Sequence, residues 1–159
     1  MDQFKIAVLV GSLRADSLNA RFATALARLA PPELSFQRVQ IGDLPLYNQD
    51  HDENPAPPVV RLKSEVAAAQ GVLFVTPEYN RSIPGVLKNA IDHGSRPYGH
   101  SVWAGKAAGI VGCRPALPAP RWLSSTCATF SLPSTCQHSG NPRSSCNTRK
   151  GFSAQMVHP

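Results

Sequence analysis

Two short segments of this 159-residue chain combine polar side chains with residues that shape tight turns. The first, GSLRADSLN at positions 11–19, directly follows an apolar run. A helix beginning within it would point backbone N–H groups at an anion, and the Ser12 and Ser17 hydroxyls with the Arg14 guanidinium would complete a phosphate cradle. The alternative is ordinary helix capping by Asp16 or Ser17, with the Arg14 side chain in solvent. From the residues alone, the two interpretations have equal weight.

The second segment, TPEYNRSIPG at positions 76–85, also follows an apolar run. Its two prolines restrict the path of the loop, while Tyr79 and Asn80 offer a planar ring and an amide that donates and accepts hydrogen bonds. Such a loop would suit the edge of a flat heterocycle. Taken alone, a segment of this kind is more often a proline-rich turn in which the tyrosine packs as a half-buried aromatic.

Neither segment matches a common nucleotide-binding signature. Residues 11–19 contain one glycine and no Gly-Lys-Ser/Thr, which excludes a Walker loop and a dinucleotide fingerprint. The five histidines show no metal-ligand spacing, so no metal site is predicted. No general acid or base is assigned either.

The apolar pattern places both segments at the ends of strands. It predicts four strands, at residues 5–10, 34–39, 71–76 and 106–112. Apolar spacing of three and four residues predicts three helices, at residues 20–30, 59–69 and 84–91, the last with Pro84 as its first residue. Residues 42–58 are predicted as a loop. Strands that alternate with single helices form parallel sheets, and ligands of such sheets bind beyond the carboxyl ends of the strands.

Together the two segments resemble the NADPH-dependent FMN reductase family of flavodoxin-like fold, which includes flavin-dependent quinone and chromate reductases. The resemblance rests on GSLRxxSxN after the first strand and TPEYNxSxPGxLKNAID after the third, and it covers roughly residues 4–112. It implies an α/β fold with a doubly wound parallel sheet. The implied strand order is 2-1-3-4, with a fifth strand beyond the fourth.

The resemblance also implies a set of cofactor-binding residues. Those around the FMN phosphate would be Gly11, Ser12, Arg14, Ser17 and Asn19. Those along the isoalloxazine would be Pro77, Glu78, Tyr79, Asn80 and Ser82. Family members often carry an aromatic residue where this chain has Arg81, so no stacking role is predicted there. Helix positions Lys88, Asn89 and Asp92 are interpreted as structural and oligomer-contact residues.

The activity implied by the resemblance is an NAD(P)H oxidoreductase. Electrons would pass from NADPH or NADH through FMN to a small-molecule acceptor, which is a quinone, free flavin or a metal oxyanion such as chromate. A homodimer or homotetramer in the cytoplasm is the expected setting. The alternative is a non-enzymatic flavodoxin-like electron carrier. Such carriers are usually acidic, whereas residues 1–112 hold 11 basic and 10 acidic residues.

The last 47 residues differ in composition from the rest of the chain. They hold five basic residues, no acidic residue and all four cysteines, which are Cys113, Cys127, Cys136 and Cys146. The basic residues are too sparse, and lack the interleaved aromatics, to predict a nucleic-acid partner. No apolar run in the whole chain approaches the roughly 20 residues of a membrane-spanning helix, so no membrane association is predicted.

A reading-frame error explains this tail best. Allowed codons for residues 113–150, read in the alternate frame, give a glycine-rich turn, an amphipathic helix and a short strand that lead into GFSAQMVHP at residue 151. We therefore predict an FMN-binding core at 1–112, an aberrant frameshifted segment at 113–150 and a family-like remnant at 151–159. If the written residues are the physical chain, the prediction is an inactive fragment.

Overall fold

The computed structural model describes residues 3–113, which form a parallel sheet with helices on both faces. Its strands are β1 (Phe4–Val10), β2 (Leu34–Val39), β3 (Gly71–Val75) and β4 (Ala107–Val111). Their order is β2-β1-β3-β4, and each neighbouring pair is parallel. The predicted α/β, doubly wound, flavodoxin-like order 2-1-3-4 is confirmed. The predicted fifth strand and the segments 114–150 and 151–159 lie outside the described residues.

The helices begin and end close to their predicted positions. They are α1 (Leu18–Leu29), α2 (Pro57–Ala67) and α3 (Gly85–Ser95), with a short 3-10 helix at Gln49–His51. Helix α2 begins two residues earlier than predicted, because Pro57 lacks an N–H and fits the first turn without losing a hydrogen bond. Pro84 precedes α3 as its N-cap rather than forming its first residue, and its carbonyl oxygen accepts from the N–H of Leu87 at 3.0 Å.

Alternate residues of the central strand β1 face two separate apolar clusters. Val8 and Val10 pack with Ala23 of α1 and Val75 of β3 on one side of the sheet. Ala7 and Leu9 face the opposite side, where they pack with residues of α2 and α3, namely Leu62, Val66, Leu87 and Ala90. Because Ala7, Val8, Leu9 and Val10 are buried on the two faces, β1 is continuously apolar from Ile6 onward rather than alternating.

Two short connections, at residues 30–33 and 68–70, join helices to the amino ends of β2 and β3. Gln70, between α2 and β3, donates its backbone N–H to the Lys5 carbonyl at 2.9 Å, and its side-chain Oε1 accepts from the Lys5 N–H at 2.7 Å. Helix α2 has no basic residue in its last turn. Lys106, just before β4, supplies that charge by donating to the Ala69 carbonyl at the helix end.

The long loop after β2 is held on α3 by two side chains one helical turn apart. Asn89 donates to the Pro45 carbonyl and accepts from the Tyr47 N–H, both at 2.8 Å. The buried His93 places Nε2 at 2.9 Å from the same carbonyl, so Nε2 carries the proton. Asn89 therefore has a structural role, while Lys88 forms an exposed ion pair with Asp92 on the same helix.

The last turn of α3 depends on a glycine that packs directly against an aromatic ring. A Cβ atom at Gly94 would overlap the Trp103 indole, whose Nε1 donates to the Ile91 carbonyl at 3.1 Å. We expect Gly94→Ala to lower the free energy of unfolding by about 1–3 kcal/mol, the usual cost of overpacking a filled space. Urea titration followed by circular dichroism measures the change.

Gly85 at the start of the same helix provides the matched control. A Cβ atom there would meet no heavy atom within 4 Å. Gly85→Ala should therefore be neutral or stabilise the chain by up to about 1 kcal/mol through the unfolded state. Equal effects of the two substitutions would contradict the packing described for Gly94.

Candidate functional site

The carboxyl ends of β1, β3 and β4 are joined side by side. The Gly11 N–H donates to the Val75 carbonyl at 2.8 Å, and the Thr76 N–H donates to the Val111 carbonyl at 2.9 Å. From β1 the chain continues to β2 on one side, whereas β3 lies on the other, so this edge is the switch point of the sheet. The two segments singled out in the sequence, 11–19 and 76–85, therefore begin next to each other.

Their close approach requires residues without side chains. A Cβ atom at Gly11 would lie 2.8 Å from Thr76 Oγ1, and one at Gly112 would overlap the Thr76 carbonyl oxygen. The Thr76 hydroxyl is held in place, since it donates to the Pro77 carbonyl at 2.9 Å. Any larger residue at position 11 would separate the two loops.

The segment after β1 contains the helix cap predicted as one of its two interpretations. Ser17 is the N-cap of α1, and its Oγ accepts from the Ala20 N–H at 3.2 Å. Its hydroxyl hydrogen is still available to a ligand. Ser12 and Ser17 are buried, Arg14 is exposed, and the first turn of α1 contains no acidic residue that would offset the positive end of the helix dipole. Capping by Ser17 and anion binding by this loop are therefore compatible.

Asn19 has a different environment from the rest of its segment. It is buried, its Nδ2 donates to the Cys113 carbonyl, and its Oδ1 accepts from the Cys113 N–H, both at 2.9 Å. This reciprocal pair fixes the chain after β4 to the start of α1. The side chain therefore positions the site rather than pointing an open donor at a ligand.

The segment after β3 forms a tight two-residue turn. Tyr79 and Ser82 exchange backbone hydrogen bonds at 2.8 and 2.9 Å, and the central residues Asn80 and Arg81 have φ of 51° and 61°. Positive φ at both central positions is the pattern of a type I′ turn. Asn tolerates this conformation, but Arg adopts it at a cost. The sequence did not reveal the turn because such turns usually carry Gly where Arg81 stands.

The turn presents most of its surface to solvent. Glu78, Asn80 and Ser82 are exposed, Pro77 is half-buried, and the Tyr79 side chain is 47% exposed. The backbone N–H groups of Glu78, Asn80 and Arg81 donate to no acceptor among residues 3–113. The loop thus combines an aromatic ring with open donors at one edge of the sheet.

One tyrosine in the loop after β2 has a shifted ionisation. Partial burial raises the pKa of Tyr47, and the neighbouring Asp52 carboxylate, which accepts from the Tyr47 hydroxyl at 3.3 Å, raises it further. The Tyr47 ring packs edge-on against His93 with ring centroids 5.4 Å apart. These contacts belong to the loop held by α3, not to the switch point.

A cavity of about 420 Å³ adjoins the segment after β1 on the side of β2. Its lining comes from the end of β1 and the following loop, and from the end of β2, with residues Val10, Ser12, Leu13, Arg14, Arg38, Val39, Gln40, Ile41 and Gly42. Residues 38–42 were not among the site residues predicted from the sequence. The parallel pairing of β1 with β2 could have predicted their contribution, because it brings the carboxyl ends of the two strands to the same edge of the sheet.

A parallel sheet of this order, with polar loops meeting at its switch point, defines a flavodoxin-like protein. The chain belongs to the NADPH-dependent FMN reductase family, whose model matches residues 4–118. The family description names both FMN and NADPH, in agreement with the cofactor and co-substrate that the resemblance implied.

Individual relatives support the same assignment. Over 109 residues the chain is 61% identical to 2-hydroxy-1,4-benzoquinone reductase from Burkholderia sp, which covers 68% of this chain and 59% of the relative. It is 55% identical over 114 residues to a quinone reductase from Pseudomonas putida, covering 70% of this chain and 61% of the relative. The chain therefore spans about three fifths of the length of these relatives.

A solved structure gives the same result. FerB, a flavoenzyme NAD(P)H:(acceptor) oxidoreductase from Paracoccus denitrificans, superposes with a TM-score of 0.66 at 49% identity, covering 69% of this chain and 60% of that one.

Among the helices of residues 3–113, none has the length and apolar character needed to cross a membrane.

The pair formed by Asn19 and Cys113 gives a direct test of this geometry. Asn19→Ala removes both hydrogen bonds and leaves the Cys113 N–H and carbonyl without partners, which should cost about 1–3 kcal/mol of unfolding free energy. Hydrogen exchange should show faster exchange of the Cys113 amide than in the parent chain. Asn54→Ala, at an exposed residue, is the control and should change neither quantity. Unchanged protection of Cys113 in the Asn19 variant would refute the pairing.

Proposed function

We propose that this chain binds FMN at the β1/β3 switch point and uses it to pass electrons from NADPH or NADH to a quinone. The observation that carries the proposal is the contact between the two loops, where the Gly11 N–H donates to the Val75 carbonyl and Thr76 fills the space that Gly11 leaves open. A phosphate-type loop and a loop with an exposed aromatic then face one ligand from two sides.

The loop after β1 suits the phosphate end of FMN. Ser12 lines the cavity there with 6% of its surface exposed, and its hydroxyl bonds to no residue among 3–113. The Arg14 guanidinium has no ion pair within the same residues. The Ser17 hydroxyl and the start of α1 add a donor and a positive dipole end. Gly11 contributes by its lack of a side chain, and Asn19 by holding the neighbouring loop.

The loop after β3 suits the ring end. Open N–H groups at Glu78 and Asn80 would donate to the oxygen and nitrogen atoms along a heterocycle edge, and the half-exposed Tyr79 ring would contact its surface. Pro77 and Ser82 define the two ends of the turn. When bound, FMN supplies the hydride and electron chemistry that side chains lack. The residues of the chain bind the cofactor, orient it and leave one side of it open to exchange of substrates.

The named relatives favour a quinone as the acceptor. Both curated relatives described above carry quinone reductase names, and neither name mentions chromate or free flavin. Reduction of those two acceptors and assembly into a homodimer or homotetramer in the cytoplasm remain predictions. The electron-carrier alternative is disfavoured because the two relatives matched over this part of the chain are named as reductases.

The cofactor gives the first functional prediction. The protein with its reading frame corrected over residues 113–150 should purify yellow. When FMN is added to the apoprotein, the visible absorbance of bound flavin should return. When 1,4-benzoquinone is present, the protein should oxidise NADPH or NADH. The decrease in the absorbance of the reduced nicotinamide measures this reaction. A colourless protein that takes up no FMN and oxidises neither nucleotide would overturn the proposed function.

Arg14 gives the second functional prediction. Arg14→Ala should weaken FMN binding by about tenfold to hundredfold, because one charge-assisted hydrogen bond is worth about 1.5–3 kcal/mol. The substitution should not unfold the chain, since Arg14 is exposed. Fluorescence quenching of FMN measures the affinity. The control is Arg28→Ala, at an exposed residue in the last turn of the same helix, which should leave FMN affinity unchanged.

The tail forms a separate part of the proposal. In this proposal residues 1–112 form the FMN-binding core. Residues 113–150 would result from a misread frame, and residues 151–159 would be a family-like remnant. The family match ends at residue 118, close to the change in composition, which supports this interpretation. Trypsin digestion followed by mass spectrometry of the protein from its natural source should lack the written peptide 122–143, which contains Cys127 and Cys136. Detection of that peptide would favour the inactive fragment instead.

A further inference from the structure

The turn after β3 holds an arginine in a backbone conformation that arginine seldom adopts. Arg81 has a φ of 61° at the second central position of the turn, where glycine would fit without steric cost. Its side chain is exposed and forms no ion pair within residues 3–113. Strained backbone positions of this kind cluster at active sites and in ligand-binding loops. The arginine is therefore interpreted by what its side chain could bind.

The fold places Arg81 near the ring end of the proposed FMN site. Tyr79 and Ser82 exchange backbone hydrogen bonds across the base of the turn, so Arg81 lies at its tip. Both ends of the loop are fixed, since the Thr76 N–H donates to a carbonyl of β4 at 2.9 Å and Pro84 is buried at the start of α3. The loop therefore keeps the positive charge of Arg81 close to the ring end.

The other cations of this region have a partner or another role. Lys88 on α3 binds both carboxylate oxygens of Asp92, at 2.6 and 2.7 Å. Arg14, on the loop after β1, is assigned above to the FMN phosphate. Glu78 is the one acidic residue in the loop after β3, and it forms no ion pair with Arg81. Within residues 3–113, Arg81 is thus the cation of this loop that is open to a second ligand.

An exposed guanidinium acts mainly on ligands that carry a full charge. Water weakens its interaction with partial charges, whereas a full negative charge is attracted from as far as about 10 Å at moderate ionic strength. The planar donors of arginine also match the paired oxygens of an ionised acidic group. A neutral quinone offers no such group. The position of Arg81 therefore favours one class of acceptor over another.

We propose that Arg81 makes this chain prefer quinones with an anionic substituent, such as a carboxylate or a sulfonate, over neutral quinones. The proposal rests on the proposed function for the flavin site and for a quinone as the acceptor. Reduction of the quinone to the hydroquinone uses the hydride of NADPH or NADH and one proton from solvent, and the anionic substituent is unchanged by it. Arg81 is thus a specificity-determining residue for the acceptor.

Steady-state kinetics with a matched pair of acceptors test the proposal. The FMN-loaded protein, with its reading frame corrected, is assayed with 1,4-naphthoquinone-2-sulfonate and with 1,4-naphthoquinone. Arg81→Asn removes the charge but keeps a residue type that tolerates positive φ. It should lower the ratio of kcat/KM for the sulfonate to kcat/KM for the neutral quinone by about fivefold or more. Because each acceptor is compared with itself across variants, the difference in reduction potential between the two acceptors cancels.

Two further variants and a change of salt sharpen this test. Arg81→Lys should retain most of the ratio, because it keeps the charge. Arg28→Ala removes an exposed arginine far from the turn and should leave the ratio unchanged. Higher ionic strength should lower the ratio in the parent protein and have little effect in Arg81→Asn. Circular dichroism of each variant checks that it is folded.

Inert ligands and unfolding give two readouts that need no turnover. Benzenesulfonate should bind to the FMN-loaded protein more tightly than the neutral benzenesulfonamide, as measured by the change in flavin absorbance. Arg81→Asn should abolish that difference. Arg81→Gly relieves the strained conformation and should unfold at a higher urea concentration, although it loses the same preference. An arginine with a merely structural role would not combine these two results.

The outcomes distinguish this proposal from the function on which it rests. An unchanged ratio in folded Arg81→Asn would overturn the proposal. Equal losses of kcat/KM for both acceptors would also overturn it, since the arginine would then act on the flavin or on charge that develops in every quinone. FMN affinity should be the same in all variants. Failure of the proposed function would appear instead in the parent protein, as absence of FMN binding or of quinone reduction.

Discussion

The close approach of β1 and β3 at their carboxyl ends determines where the other parts of the site lie. Each strand is followed by a polar loop, and the first residues of those loops, Gly11 and Thr76, are close enough that a methyl group on the glycine would meet the threonine hydroxyl. The backbone hydrogen bond from the Gly11 N–H to the Val75 carbonyl then fixes the position of one loop relative to the other along the strand direction. Parallel pairing brings the strand ends to one edge, but the absence of a side chain at one position brings the loops into contact.

Side chains that bind backbone groups hold the remaining loops around this contact. Asn19 pairs with both polar groups of Cys113, and Asn89 pairs with the backbone at Pro45 and Tyr47. An asparagine suits this work because one amide satisfies a donor and an acceptor at once. Asn19 was predicted as part of a binding motif and Asn89 as part of a helix. Each of them sets the position of a loop that is distant in the sequence.

Local sequence patterns were sufficient to predict the strands and their parallel arrangement, whereas the strand order followed from the resemblance to a flavodoxin-like family. The continuous apolar runs at β1 and β3 indicate burial on both faces, and the alternation of single helices with strands leads to a parallel sheet. Helix starts were less accurate at Pro57 and Pro84, since proline fits both the first turn and the preceding cap. The segment 11–19 was predicted as a pair of alternatives, and the structure contains the helix cap at Ser17, while phosphate binding stays a prediction.

Other features depend on the register of distant residues or on backbone angles that the sequence does not encode directly. The tight turn at Asn80 and Arg81 uses positive φ at a residue type that seldom adopts it. The cavity at the end of β2 requires residues 38–42 to lie opposite residues 10–14, which only the pairing of the strands establishes. Neither feature has a local sequence signature.

The amino ends and the carboxyl ends of the strands have different roles, and this separation has a practical consequence. The amino-end edge is closed by two short connections at residues 30–33 and 68–70, by the contacts of Gln70 with Lys5, and by the charge of Lys106 at the end of α2. The opposite edge carries the polar loops after β1, β2 and β3 and the proposed FMN site. A linker attached at Ala68, which is exposed on the closed edge, would orient an immobilised chain with its ligand loops facing away from the support. On an electrode the same orientation would leave the loops at the carboxyl ends of the strands open to the solution.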